Sequence, residues 1–202
     1  MDPHFIFNVI NSIQYFIQKG DKEIANKYLT DFAKLIRLSS GFSGKSKVLL
    51  EEEIAYLHLY LLFENLRFGE SLTYEININP NIDIHSTHIE VMMIQPFLEN
   101  AIWHGIMPLK SNGYILTEID KHSDNLLKIR VTDNGVGIES SFIDNTFKTK
   151  PLENHTHCIA LQRLKILEIT IGQELFMGYH HLHPAEKNKG TVVEFLLPVV
   201  YQ

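Results

Sequence analysis

The sequence predicts an α+β protein: an N-terminal helical hairpin followed by a two-layer α/β sandwich. Three observations predict it. Two amphipathic helical stretches separated by a short break fill the first forty residues, a connection rich in Gly, Ser and Lys runs from Gly41 to Lys47, and beyond it helical segments alternate with half-buried strands. The expected division is therefore a hairpin over 1–46 and a sandwich over 47–202, and a chain with 45% hydrophobic residues has enough apolar side chains for a core in the second part.

Asp2 and Pro3 have the character of an N-cap and first helical residue, and Ile6, Ile10, Ile13 and Ile17 recur at helical spacing as far as Lys19, with His4, Asn8, Asn11, Tyr15 and Gln18 on another face. Gly20 and Asp21 break and recap the chain. Ile24, Tyr28, Phe32, Leu35 and Ile36 then mark a second helix ending near Gly41. A two-helix hairpin alone buries little apolar surface, so pairing with a second copy in a four-helix bundle, and hence a homodimer, is expected. A third helix is predicted from Leu50 to Phe68, stopped by Gly69, and Leu72, Tyr74, Ile76 and Ile78 alternate with polar residues as a strand closed by Pro80. A helix over Ile94–His104, strands over Tyr114–Ile119 and Leu126–Thr132, a long polar stretch over 139–157, a helix over Ala160–Ile171 and strands near Glu174–Tyr179 and Thr191–Leu197 complete the pattern.

Composition narrows the function classes. Eighteen basic against 24 acidic residues give a net charge of −6, which speaks against a broad nucleic-acid-binding face, so an anionic ligand has to be held locally by amides, a metal or a few cations. One cysteine, Cys158, permits no internal disulfide and no CxxC site, which fits a cytoplasmic setting. No run of eighteen apolar residues and no signal-peptide pattern appears. Because the chain opens directly on a helix, it is expected to be a fragment of something longer.

Two segments carry the candidate chemistry. Asp133-Asn134-Gly135-Val136-Gly137 ends a predicted strand. A buried carboxylate there can accept a hydrogen bond from an exocyclic amine while glycines let the backbone approach a flat ligand, but the same residues also make an ordinary turn. In Gln95-Pro96-Phe97-Leu98-Glu99-Asn100-Ala101-Ile102-Trp103-His104-Gly105, Asn100 and His104 are four apart and share a helix face. Asn100 offers a hard amide oxygen suited to Mg²⁺, and the competing reading is a helix end with Gly105 as C-cap. His4 sits in the first turn of its helix, where the dipole disfavours imidazolium by up to about 1 kcal/mol and would favour a phosphoryl group after transfer. Phe5 follows His4, so no adjacent carboxylate acts as base, and Asn8, one turn on, can orient the ring. His155, His157 and Cys158, and likewise His180, His181 and His183, match no standard zinc spacing.

The E-N-A-x-x-H-G helix end about thirty residues before D-N-G-x-G resembles the N-box and first glycine box of the GHKL ATPase superfamily. The opening Pro3-His4-Phe5-Ile6-Phe7-Asn8 resembles the phosphoacceptor motif of LytS-type sensor histidine kinases. Leu50-Glu51-Glu52-Glu53, Arg67-Phe68-Gly69-Glu70, Gln95-Pro96 and Gly190-Thr191 match further, so the likeness covers the whole chain in order. The resemblance implies a GHKL (Bergerat) sandwich that binds Mg-ATP. Asn100 is then the Mg²⁺ ligand, Asp133 the reader of the adenine amino group, Gly135 and Gly137 shape the pocket, His104 contacts phosphate, Glu99 lies beside the metal ligand, and 139–157 is the ATP lid. It also implies autophosphorylation on His4, phosphotransfer to an aspartate of a cognate response regulator, and membrane anchoring upstream of Met1.

Two departures keep a different class open. The family's second glycine box is replaced by Thr156-His157-Cys158-Ile159-Ala160-Leu161, without glycine, and Trp103 stands where the family commonly has lysine. A catalytically weak or degenerate dimeric scaffold is therefore the alternative, and a water-hydrolysing GHKL ATPase is a poorer third because such enzymes lack the His4 helix.

Overall fold

Along Leu126–Asp133 the odd-numbered residues Leu127, Ile129, Val131 and Asp133 are buried, while Lys128 and Arg130 alternate with them on the opposite face. This period-two pattern sets the sheet's inner side. A computed structural model describes residues 3–69, 71–109, 112–138, 155–186 and 189–201, with the backbone alone at 155–160 and 201. The elements are α1 (Pro3–Lys19), α2 (Lys22–Phe42), β1 (Lys47–Leu49), α3 (Leu50–Arg67), β2 (Leu72–Ile78), β3 (Thr87–Glu90), α4 (Gln95–Asn100), β4 (Gly113–Lys121), β5 (Leu126–Asp133), α5 (His155–Ile171), β6 (Met177–His181) and β7 (Thr191–Tyr201).

The strands form one sheet in the order β1-β3-β7-β5-β4-β2, with β6 also on β7. All pairs are antiparallel except β2 with β4. The long β7 holds the two halves together: Val193 lies opposite Val131, Phe195 opposite Ile129 and Leu197 opposite Leu127, extending the apolar stripe across strands. Phe195 stacks on Phe97 of α4 with ring centres 4.3 Å apart, tying the helical layer to the sheet. On the other face, Arg130 bonds Glu194 at 2.6 Å and Glu118 at 3.2 Å, and Lys128 reaches Glu194 at 3.0 Å, so the solvent side carries a ladder of opposite charges. This is the expected two-layer α/β sandwich.

The hairpin differs from expectation in two ways. Its buried stripe on α1 is Phe5, Val9 and Ile13, whereas Ile10 and Ile17 of the predicted stripe are exposed. The helix carries apolar residues on two sides, and α3 selects one of them. The hairpin also has a partner within its own chain. Phe5 stacks on Tyr60 at 5.2 Å, Phe32 meets Phe63 at 5.7 Å and Phe42 meets Tyr56 at 5.6 Å, so aromatic residues of α3 cover part of the surface for which a second copy was expected.

Elsewhere the elements match the sequence reading closely, with three corrections. The short strands β1 and β3 were not expected, and the connection at residues 43–46 is shorter than the predicted one because α2 runs on to Phe42. The helix predicted over Ile94–His104 is α-helical only to Asn100 and continues as a π-helical turn over Ala101–Ile106. The stretch 139–154, most of the expected lid, lies outside the described residues, as do the side chains of His155, His157 and Cys158. Among the described residues no helix is long and apolar enough to cross a membrane, and no cluster of three or more His, Cys, Asp or Glu is placed to hold a metal.

Candidate functional site

The site is built where the inner stripe of the sheet ends in a carboxylate. Asp133 continues the Leu127-Ile129-Val131 face and is 4% exposed. Its Oδ1 accepts the Gly135 amide at 2.7 Å, and both the hydroxyl and the amide of Thr191, its partner across β7, donate to the same carboxyl group. Burial nonetheless dominates and pushes the Asp133 carboxyl up to about 7. Three donors orient the group within apolar surroundings.

The wall opposite is the α4 segment with its π-helical turn. A π turn widens the helix by one residue, and it recurs at functional sites because it re-aims side chains. Here it brings Gly105 against the loop after β5, where the Val136 amide donates to the Gly105 carbonyl at 3.0 Å. A Cβ on Gly135 would lie 2.3 Å from the Gly105 carbonyl carbon, and one on Gly105 would lie 2.7 Å from Asp133 Oδ1. Both glycines are thus required by close approach. The sequence offered Gly105 only as the last residue of the E-N-A-x-x-H-G motif or, in the competing reading, as a C-cap, and neither anticipates this close approach. Gly137 has φ +85° and adopts the left-handed conformation that favours glycine.

Between these walls opens a shallow cleft, continuous with solvent and lined by Phe97, Asn100, Ala101, His104, Gly105, Val131, Asp133, Gly137, Ile138, Thr191 and Val193. The structure therefore brings Asn100, His104, Asp133 and Gly137 together, with Gly135 packed directly behind. Glu99 is not among the lining residues. Its Oε1 accepts from Gln95 Nε2 at 2.7 Å, and its charge helps to raise the pKa of the Tyr56 and Tyr60 hydroxyls after the larger effect of their burial, so it faces α3. The N-terminal end of the α4 segment is clamped from two sides. Glu53 of α3, fully buried and pushed up to about 7 by desolvation, accepts the Met92 amide at 3.0 Å, and Arg163 of α5 donates to the Met92 carbonyl at 3.2 Å and to the Val91 carbonyl. Met92 itself has φ +52°, a strained value for a residue with a side chain.

His4 lies outside the cleft yet against the same segment. It is exposed on the first turn of α1, with the Asn8 amide 3.2 Å from its Nδ1. Its ring centre is 6.4 Å from that of Trp103, the neighbour of His104. The Arg67 guanidinium stacks on the same indole at 4.0 Å. One helical segment thus presents Asn100 and His104 to the cleft and Trp103 to the His4 helix.

The histidine kinase family model matches residues 1–72. The sensor protein LytS of Oceanobacillus iheyensis is 30% identical over 204 aligned residues, covering 98% of this chain and 33% of that protein. The sensor histidine kinase YpdA of Escherichia coli is 27% identical over 200 residues, again covering 98% of this chain and 33% of that protein. The chain therefore spans about a third of the length of these relatives. Among solved structures, full-length ShkA in complex with AMPPNP superposes with a TM-score of 0.51 at 14% identity, covering 89% of this chain and 37% of that one, a likeness of fold.

Proposed function

The chain belongs to the LytS-type sensor histidine kinases, and we propose that it binds Mg-ATP in the cleft and transfers the γ-phosphoryl group to His4, from which an aspartate of a cognate response regulator receives it. The observation that carries this reading is the convergence of Asn100 and Asp133 on one cleft whose rear is closed by two glycines. The cleft suits the group: a buried carboxyl lies at its floor, and the apolar side chains of Phe97, Val131, Ile138 and Val193 match a flat purine. Asp133 would accept from the adenine amino group. Asn100 would offer its amide oxygen to a Mg²⁺ that keeps phosphate and water oxygens for its other positions, and His104, exposed beside it, would meet a phosphate. Bound Mg²⁺ supplies charge neutralisation on the triphosphate.

His4 supplies the nucleophile. Attack by Nε2 needs the ring neutral with its proton on Nδ1; Asn8, whose Nδ2 lies 3.2 Å from Nδ1, would accept that N–H once its amide turns over to present Oδ1, leaving the Nε2 lone pair free. The Nε2–P bond forms as the bond from phosphorus to the β,γ-bridging oxygen breaks. ADP keeps that electron pair, and the Nδ1 proton of the resulting imidazolium passes to solvent. This reading includes a homodimer, supported by the apolar residues that α3 leaves uncovered: Phe7, Ile10 and Ile17 of α1 and Ile24 and Leu29 of α2 are exposed. The same reading places the chain at the cytoplasmic side of a larger membrane-anchored protein, with 1–46 as its dimerisation and phosphoacceptor unit and 47–202 as its ATP-binding unit.

Incubation with γ-labelled ATP and Mg²⁺ tests the assignment: an acid-labile phosphoprotein is expected, and label that survives His4→Ala defeats it. The second reading, a non-enzymatic scaffold, is favoured by one observation. The stretch in place of the second glycine box, residues 156–161, lies within the helix that starts at His155. Calorimetry with AMPPNP and Mg²⁺ separates the two, since a scaffold with a vestigial pocket gives no binding heat.

A further inference from the structure

Trp103 is a junction that the nucleotide cleft does not use. Its indole N–H donates to the Tyr60 hydroxyl, and Tyr60 is buried, so the ring is fixed from the core side. The His4 ring approaches it at 6.4 Å, and the Arg67 guanidinium lies over it at 4.0 Å, well inside cation–π range. Arg67 ends α3 and also meets Oε2 of the buried Glu64 at 3.4 Å. That contact occupies few of the five donors of a guanidinium, and a fifth of the Arg67 side chain stays open to solvent. A fixed, partly exposed cation and the candidate phosphoacceptor thus share one indole.

Charge gives this arrangement a purpose beyond packing. Among the described residues lining the cleft there is no Lys or Arg, and the whole chain carries a net −6. A phosphoryl group placed on His4 adds about two negative charges outside that cleft, next to Trp103. Arginine suits such a group because its planar fork can bond two phosphate oxygens at once.

We propose that Arg67, held flat against Trp103, is the cation that binds the phosphoryl group at His4 during and after transfer, with Trp103 as the residue that positions both. This rests on His4 being the phosphoacceptor. It also accounts for tryptophan at this position: the positive charge stands on α3 and reaches the site across the indole. Were Arg67 only a tie between α3 and the 101–106 turn, its charge would be irrelevant as long as its aliphatic stem packed.

The test compares wild type with Arg67→Met, which keeps the stem, Arg67→Lys, which keeps the charge, and Trp103→Phe, which keeps an aromatic seat. Each is labelled on His4 by γ-labelled Mg-ATP and, independently of any nucleotide, by potassium phosphoramidate, and AMPPNP affinity is measured alongside. Arg67→Met is expected to slow labelling by both donors by about tenfold to a hundredfold, the size of a lost charge-assisted bond. Arg67→Lys recovers part of the rate, Trp103→Phe keeps most of it, and AMPPNP affinity stays within about twofold because Arg67 does not line the cleft. Wild-type labelling of Arg67→Met by both donors overturns the proposal, as does a lysine variant no better than methionine or a parallel loss of AMPPNP affinity. Should Arg67→Met fail to fold, Arg67→Lys against Arg67→Gln decides by the same criteria. Wild-type protein that takes label from phosphoramidate but not from Mg-ATP counts against the nucleotide reading alone; no His4 label from either donor overturns both.

Discussion

Asp133 and His4 sit on opposite sides of the same helical segment and are held in contrasting ways. Asp133 is buried at the end of a strand, gripped by the Gly135 amide and by Thr191, with backbone packed against it at Gly105. His4 is exposed on the first turn of α1 beside Asn8. A pocket that reads one ligand gains from fixed donors and acceptors, because no reorganisation is needed on binding. A side chain that serves two partners in turn has to remain open to both. The contrast predicts that substitutions at the cleft floor alter binding and stability together, whereas those around His4 alter rate alone.

The largest effect should come from Gly135→Ala. The added methyl carbon would lie 2.3 Å from backbone of Gly105 and 2.5 Å from Asp133 Oδ1, and neither can move without breaking the Val136–Gly105 and Gly135–Asp133 bonds. A destabilisation of about 3 kcal/mol is expected, with loss of AMPPNP binding by at least about a hundredfold. Thermal unfolding and calorimetry check it. His4→Ala should leave both quantities unchanged while removing the acid-labile label, and a joint loss there would break the contrast.

Asn100→Ala comes next. Asn100 is half-buried and lines the cleft without belonging to its packed floor. Its removal should weaken Mg²⁺-dependent nucleotide binding by about tenfold to a hundredfold while stability shifts by no more than about 0.5 kcal/mol. Titration with and without Mg²⁺ gives the answer, because a metal ligand is needed only when metal is present.

How much of this was legible in the sequence follows the same divide. Asn100, His104 and Asp133 were found because a helix places residues four apart on one face and a strand ending in D-N-G-x-G is a local pattern. Their convergence in one cleft was an expectation drawn from family likeness and is now a matter of geometry. The π turn was invisible, since shifting hydrogen bonds from four to five residues back leaves no mark in composition, and with it went the reason for Gly105. No local pattern gave Glu53 or Arg163 a role of its own; only the fold shows them gripping the strained Met92 turn from two sides. The buried face of α1 was misassigned because it is amphipathic in two directions, and the aromatic row of α3, which selects one, is brought to it by tertiary packing.

Protonation sharpens the comparison at smaller amplitude. The folded Asp133 carboxyl lies near 7 against an ordinary 3.8, so between those values the native state holds a proton that the unfolded chain has released. The apo protein should therefore lose stability as pH rises from about 4 to 7, by roughly 1.4 kcal/mol per unit for this group, and level off above 7. Glu53, also near 7, adds in the same direction and is isolated by Glu53→Gln. A ligand amine donating to Asp133 favours the ionised form. Nucleotide binding near pH 6 to 7 should then release a fraction of a proton, seen as a buffer-dependent calorimetric heat that vanishes above about pH 8. A heat independent of buffer ionisation enthalpy would remove Asp133 from the adenine contact.

The smallest effect isolates the exposed end. Asn8→Ala removes the amide 3.2 Å from His4 Nδ1 on a solvent-facing helix surface, so folding and AMPPNP affinity should be unaffected. What changes is the tautomer: without an amide whose Oδ1 can turn to the ring and accept, the form with its proton on Nδ1 loses support, and the share of rings with a free Nε2 falls. The rate of His4 labelling is expected to drop by about tenfold, in line with the loss of one neutral hydrogen bond at the reacting ring. Asn8→Asp supplies a stronger acceptor for the Nδ1 proton and should restore or exceed the wild-type rate between about pH 6 and pH 8. Equal rates for Asn8→Ala and Asn8→Asp across that range would show that the ring chooses its tautomer unaided, and the exposed end would then owe its reactivity to exposure alone.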